Sequence, residues 1–331
     1  MTGRAALHTK TAPLSITPDA SRPVERRSIP DTALSVYPLA LGGSVFGWTA
    51  DGDTSMQILD RHADLGGNLI DTADSYAGGR SEVLIGNWLR SRRARENTVI
   101  ATKAGRNFDY PGLTSRSIIG AVHASLERLQ TDYIDLLYFH FDDTAVPLEE
   151  SLGAVDVLLR SGHVRHIGAS NFSADRLMEA RVLTANGLPR FVASQSLYNL
   201  VHREPFESAV GVVTGAQGMA VFPHSALAHG FLTGKYHGRA DVKKTARGAS
   251  ASAYLNRKSL RTLGVVERVA TAHGEQPASI ALAWLLSRQS VVAPVASASR
   301  PDQVAALMAA GRIRLTRGDL LDLDRVSALP H

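Results

Sequence analysis

From residue 36 onward, short runs of apolar and β-branched residues alternate with longer stretches in which apolar residues recur every three or four positions. The first pattern suits strands buried on both faces, and the second suits helices with one apolar face. Eight strands are predicted, at 36–41, 68–70, 98–102, 134–139, 166–169, 191–195, 219–222 and 291–295. Helices are predicted between the earlier ones, at 54–65, 81–91, 115–129, 148–161, 174–185 and 205–216. Two more, at about 257–273 and 278–287, precede the last strand, and helices near 301 and at 317–327 finish the chain. The punctuation agrees with the periods: Gly66-Gly67, Gly162 and Gly187 close helices, and Thr114 or Ser115 can cap one.

Repeated βα units imply a parallel sheet, and eight of them with no shift in composition favour an α/β fold of the (β/α)8 TIM-barrel kind, a single domain over residues 31–331. A doubly wound dinucleotide fold would carry G-x-G-x-x-G after its first strand; the glycines from Gly42 to Gly47 have the wrong spacing and open no helix. Residues 1–30, rich in Ser, Thr, Pro, Ala and Arg without a period, are expected to form a poorly ordered N-terminal extension. The stretch from Pro223 to Ser290 is far longer than the other connections, and long loops in compact domains tend to be functional.

Composition narrows the function more than the fold. The 331 residues contain no cysteine, which excludes disulfides, thiolate catalysis, iron–sulfur clusters and Cys-zinc sites. A net charge of +5 is spread among interleaved acids, so nucleic acid is not an expected partner, although a mild positive field suits an anionic cofactor. There is no signal-peptide core and no apolar run of the ~18 residues that a membrane span needs, so a cytoplasmic protein with no membrane partner is expected.

Barrel enzymes place their chemistry at the C-terminal ends of the strands. There the chain sets Asp71 after strand two, Lys103 after strand three and His140 after strand four, with Tyr76 in the loop following Asp71. Each has a plain alternative: a turn cap, a surface charge, a satisfied histidine, a packed ring. Together they suggest a proton donor for a carbonyl oxygen. A buried Lys beside a phenol stabilises the phenolate, an Asp keeps the amine charged, and an imidazole polarises the substrate.

At these residues the chain resembles the aldo-keto reductases. The likeness runs through Ile70-Asp71-Thr72-Ala73-Asp74-Ser75-Tyr76, Ser81-Glu82, Ile85-Gly86, Ile100-Ala101-Thr102-Lys103 and Asp135-Leu136-Leu137-Tyr138-Phe139-His140. It continues in Ile167-Gly168-Ala169-Ser170-Asn171-Phe172, Gln195-Ser196-Leu197-Tyr198-Asn199 and Gly230-Phe231-Leu232-Thr233-Gly234-Lys235-Tyr236. The resemblance implies a barrel that binds NADPH without a Rossmann domain and reduces an aldehyde or ketone, with Asp71, Tyr76, Lys103 and His140 as the catalytic tetrad. It implies that Ser170, Asn171 and Gln195 hold the carboxamide, while Gly43, Ser44, Ser225, Leu227, Gly230, Leu232 and Lys235 line the ribose and pyrophosphate. Two departures stand out. His224 falls where an aromatic residue commonly stacks on the nicotinamide, and Ser297 replaces a glycine before Ser299, Arg300 and Gln303. Ser299 and Arg300 at a helix start suit the extra phosphate of NADPH, with NADH not excluded. Substrate contacts are expected from Tyr76 and His140 and from Phe46, Trp48 and Phe172, with Phe108, Tyr110 and parts of the 236–256 loop as further candidates.

Other readings carry less. Tyr254 and Lys258 match the Y-x-x-x-K of short-chain dehydrogenases, without that family's glycine fingerprint. His163 and His166 have no carboxylate near them in sequence, so no metal is expected. An NADPH-binding, redox-sensing regulatory subunit with little turnover is the alternative to a reductase, and a lyase or isomerase using Lys103 as a Schiff base comes last.

Overall fold

The computed structural model describes residues 24–204, 206–243 and 245–328. Two short strands, β1 (Arg27–Ser28) and β2 (Ser35–Val36), pair antiparallel. Eight parallel strands follow: β3 (Ala40–Gly42), β4 (Leu69–Asp71), β5 (Val99–Ala104), β6 (Ile134–Phe139), β7 (Val164–Ser170), β8 (Phe191–Gln195), β9 (Ala220–Val221) and β10 (Val295–Ala296). They lie in sequence order with β10 against β3. The remaining seam is closed by backbone hydrogen bonds: Val221 N donates to Ser290 O at 2.8 Å, Val292 N to Val221 O at 2.9 Å and Val295 N to Pro223 O at 2.8 Å. The sheet is therefore a closed (β/α)8 barrel.

The helices between strands are α1 (Gly52–Asp64), α2 (Arg80–Arg92), α3 (Ser115–Leu129), α4 (Leu148–Arg160), α5 (Ala174–Ala185) and α6 (Gly211–Ala216). The long connection after β9 carries α7 (Arg239–Val242), α8 (Gly248–Ser252), α9 (Arg257–His273) and α10 (Pro277–Leu286); α11 (Val304–Ala309) and α12 (Arg317–Ser327) end the chain. Side-chain caps start several of them. Asp51 accepts from Thr54 N and Thr114 from Ser117 N, while Ser173 accepts from Arg176 N and Asn256 from Ser259 N.

One apolar cluster fills the barrel. It joins Leu69, Val99, Ala101, Leu136, Tyr138, Val192, Phe222 and Val292 to Ile29 and Val36 of the hairpin. The β1–β2 hairpin thus seals the N-terminal mouth with apolar side chains and leaves the other end for chemistry. This divides the predicted first strand, 36–41, in two. Pro38 has no N–H to give a ladder, so Val36 pairs with Arg27 while Ala40 begins the barrel. Of the predicted extension at 1–30, residues 1–23 lie outside the described residues, and residues 24–30 are placed. Arg27 donates to Val291 O at 2.6 Å and to Leu286 O at 2.9 Å, and Ile29 is fully buried.

Candidate active site

The C-terminal ends of β4, β5 and β6 bring Asp71, Lys103 and His140 to one place. Lys103 Nζ donates to Asp71 Oδ1 at 2.6 Å, to Thr72 O at 2.8 Å and to Tyr76 Oη at 3.4 Å. The other carboxylate oxygen of Asp71 accepts from Gln195 Nε2 at 2.7 Å, so both charges of this buried pair are satisfied. Burial works against the Lys103 charge, but the Asp71 carboxylate, followed by Tyr76, outweighs it and holds the ammonium above its ordinary range. Tyr76 enters from the turn after β4, and its ring meets the His140 ring edge-on at a centroid distance of 6.0 Å. All four residues expected to form the tetrad converge.

The imidazole of His140 is neutral. Burial, then the charges of Lys103 and Arg106, pushes its pKa down to about 2, and its Nδ1 is buried without a partner. A neutral ring offers one N–H donor without the cost of a second buried cation beside Lys103. Beneath the site Tyr138 is wholly buried with an unpartnered hydroxyl; burial, then the Asp71 charge, raises it well above the ordinary phenol.

A cavity of about 930 Å³ runs from this cluster across the barrel mouth. Asp71, Tyr76 and His140 line it with Ser170, Asn171, Gln195 and His224, and so do Ser297, Ser299, Arg300 and Gln303. Ser44, Ser225, Leu227, Gly230 and Lys235 belong to the same lining, with Ser44 Oγ 3.3 Å from Ser297 Oγ. Asn171 donates from Nδ2 to His140 O and to Ser170 Oγ, both at 3.0 Å, and its Oδ1 lies 2.8 Å from His224 Nε2. His224, held by this contact and by Ser225 Oγ at 3.3 Å, has its pKa lowered to about 4 by burial first and then by Lys103, so it too is neutral. Asn171, Ser225 and His229 hold positive φ angles of 59°, 50° and 55°, left-handed backbone that ordinary side chains rarely adopt and that gathers at functional sites.

Several expectations need correction. Gly43 does not line the cavity: its N–H donates to Asp71 O at 2.7 Å and its carbonyl accepts from Ser81 Oγ at 2.9 Å, so both backbone groups are already engaged. Gly42 is exposed to the cavity instead. Leu232 is fully buried behind the wall. Phe46 is fully buried, and Phe172 packs on Phe139 and Phe191 at centroid distances of 6.5 and 5.6 Å, so these two rings build the core and not the substrate pocket. Trp48, 56% exposed, does stand at the cavity rim. Phe108 is 96% exposed and outside the cavity lining, as is Tyr110, which leans on α3 at Gly120.

One contributor has no signal in the sequence beyond lying within the 236–256 loop. Arg247 crosses from that loop to donate to Ser44 Oγ at 2.7 Å, and its guanidinium lies 5.8 Å from the centre of the Trp48 ring. Arg247 therefore adds a cation to the cavity lining, which also holds Lys235 and Arg300. Arg300 is engaged by Asp302 through two contacts of 3.1 Å. Among the described residues no cluster of three or more His, Asp or Glu could hold a metal ion, and no helix is long and apolar enough to cross a membrane.

A barrel with a Lys–Asp–Tyr–His cluster at its C-terminal mouth, opening into a cavity of about 930 Å³, has the parts of a carbonyl oxidoreductase. The chain matches the aldo/keto reductase family over residues 38–328 and belongs to it. It is similar to norsolorinic acid reductase B of Aspergillus parasiticus, 32% identical with 88% of this chain and 81% of that protein covered. It is also similar to an aryl-alcohol dehydrogenase of Pestalotiopsis microspora, at 30% identity over 89% and 80%. The protein tas of Escherichia coli is a third relative, 30% identical over 90% of this chain and 96% of its own length. The chain is accordingly an oxidoreductase of a family that works with reduced nicotinamide cofactors.

Proposed function

We propose that the protein reduces an aromatic aldehyde or ketone with NADPH, using Tyr76 as the general acid. The observation that carries the reading is the contact chain Gln195–Asp71–Lys103–Tyr76, in which a fully buried ammonium lies 3.4 Å from the hydroxyl of Tyr76, whose ring lines the cavity and meets His140. The cavity lining supports that cofactor: Ser, Asn, Gln and His side chains stand with Asp71, Tyr76 and His140, and the cations Lys235, Arg247 and Arg300 line the same space. When bound, the reduced nicotinamide supplies a hydride to the carbonyl carbon.

The chain's own residues handle the oxygen. Negative charge developing there is met by the Tyr76 proton, with Lys103 positioned to stabilise the phenolate left behind and Asp71 to keep Lys103 charged. His140, neutral, offers its N–H to the same oxygen and orients the carbonyl. Ser170, Asn171 and Gln195 present amide and hydroxyl groups for the carboxamide, and His224 supplies a ring face in the place of a larger aromatic. Ser299 and Arg300 favour NADPH over NADH, since a phosphate dianion can take the guanidinium from Asp302, a pair that is exposed and weak.

The aromatic substrate class is supported by Trp48 at the rim, by the size of the cavity, and by the names of the relatives, which refer to norsolorinic acid and aryl alcohols. The test is oxidation of NADPH and NADH, followed by nicotinamide absorbance, with a panel of aryl aldehydes, aryl ketones and aliphatic aldehydes. Turnover fastest with an aryl carbonyl and NADPH is the expected result. Tight NADPH binding with no turnover on any member would replace the reductase reading by that of a redox-sensing subunit.

A further inference from the structure

Asp74 is a fully buried carboxyl that the chemistry above does not use. It sits two residues before Tyr76 and binds the Tyr76 loop to the end of β5 three times. Its N–H donates to Lys103 O at 3.0 Å, its Oδ2 accepts from Gly105 N at 3.2 Å, and its carbonyl accepts from Asn107 Nδ2 at 2.7 Å. Its Oδ1 is buried with no partner at all. A buried carboxylate normally collects several donors or a cation, and this one has a single long N–H contact.

The neighbouring charges explain why it is left so. Glu82 on α2, also fully buried, has both oxygens taken, by Thr102 Oγ1 at 2.6 Å and by Arg128 Nε of α3 at 2.8 Å. Arg128 thus serves Glu82, and Lys103 on β5 is committed to Asp71. Tyr76 is the titratable group on the same loop. A second negative charge at Asp74 would face Glu82 without a counter-ion. Burial first and the Glu82 charge second push the Asp74 pKa up to about 7, against the smaller opposing pull of the Gly105 N–H, Arg128 and Asn107.

We propose that Asp74 is a positioning residue: as the neutral acid it sits in the tie between the Tyr76 loop and the strand end that carries Lys103, and its ionisation, which leaves an unpartnered buried charge facing Glu82, favours an opened loop and sets an alkaline limit on carbonyl reduction. The proposal rests on Tyr76 as the acid for its effect on turnover, and it has a second consequence that does not. A carboxyl that keeps its proton in the fold but loses it in the unfolded chain makes stability fall as pH rises from the ordinary carboxylate range to about 7.

The experiment compares wild type, Asp74→Asn and Glu82→Gln in kcat against pH and in thermal midpoint against pH. Above about 7 the wild-type kcat is expected to fall about tenfold per pH unit, while Asp74→Asn, neutral throughout, holds its acid-side rate across the same range. Asp74→Asn should also lose the decline of midpoint with rising pH. Glu82→Gln, which removes the repelling charge, should move the wild-type limb to lower pH. Superimposable kcat profiles for wild type and Asp74→Asn, or midpoint curves of equal slope, would overturn the proposal. A wild type with no turnover would refute the reductase reading alone, and the midpoint curves would still decide the state of Asp74. If Asp74→Asn fails to fold, the direction of the Glu82→Gln shift decides.

Discussion

Removing the Lys103 ammonium tests the energetics of the site more sharply than any other change. In Lys103→Met the stem is kept, but Asp71 loses its 2.6 Å partner and Thr72 O its 2.8 Å donor, and the Asp71 carboxylate, about 4% exposed, retains only Gln195 Nε2. Breaking one side of a buried ion pair costs about 3–5 kcal/mol, because the remaining charge is left desolvated. At an unfolding entropy of about 2.1 cal/mol/K per residue, a fold of this size should melt about 5–8 °C lower. Replacing both partners, as in Lys103→Met with Asp71→Leu, removes the stranded charge and should recover about half or more of that loss. Thermal and denaturant melts of the two single variants and the double variant form a complete cycle. Turnover should fall by about 10²–10⁴-fold in Lys103→Met and should not return in the double variant, which separates stability from catalysis. A single variant as stable as wild type, or a double variant no better than the single, would refute the description of Asp71 and Lys103 as a buried pair whose members depend on each other.

Packing and burial elsewhere in the barrel have measurable consequences too. Gly168 has no room for a methyl group: a Cβ there would lie 2.5 Å from Tyr138 Cε1 and 2.9 Å from Ala193 O, so Gly168→Ala should cost about 1–3 kcal/mol in denaturant melts and disturb the ring beneath Asp71. His62 is fully buried with Nε2 unpartnered, and burial lowers it to about 4. Its unfolded form binds a proton below 6.5 that the fold refuses, so stability should drop by about 1.4 kcal/mol per pH unit from 6.5 down to about 4, and His62→Gln should flatten that acid limb. Arg247→Ala removes a cation and the tie to Ser44, and should raise the Kd for NADPH about tenfold or more in a fluorescence titration, with a smaller effect on kcat.

Much of the architecture can be read from the chain because each strand is a short apolar run and each helix carries its own stop. The residues 134–139 and 191–195 were predicted with the bounds observed, as were helices at 115–129, 174–185 and 257–273, where Thr114, Ser173 and Asn256 cap the starts. Misreadings occur where tertiary contacts decide. The first predicted strand runs on past Pro38 because hydropathy does not register a missing N–H. Helix α1 begins at Gly52, earlier than its apolar period, because Asp51 caps it. The predicted helix from 205 opens instead with a wider π-type turn at Phe206–Val210 before α6. The predicted strand at 291–295 is largely irregular, bonding across the seam to residues 221–223 while regular pairing is confined to Val295–Ala296.

The candidate site divides in the same way. Asp71, Lys103 and His140 were legible because each ends a strand, and barrel geometry sends strand ends to one mouth. Phe46 and Phe172 were misplaced because adjacency to a motif does not say which way a ring turns. Gly43 was misplaced because its carbonyl and N–H are claimed by Ser81 and Asp71, residues remote from it in sequence. Arg247 was missed because its partner, Ser44, lies some 203 positions away in sequence, and nothing in the loop's composition marks that one cation as the one that makes the contact.

The central claim is that Tyr76 delivers the proton to a carbonyl oxygen in a cavity that binds NADPH independently of that hydroxyl. The most direct measurement is the single-turnover rate of NADPH oxidation with the best aryl carbonyl, for wild type and Tyr76→Phe, alongside the Kd for NADPH of each. The account predicts a rate lower by about 10²–10⁴-fold in Tyr76→Phe with the Kd changed less than about threefold. A phenylalanine variant that oxidises NADPH at the wild-type rate would contradict it.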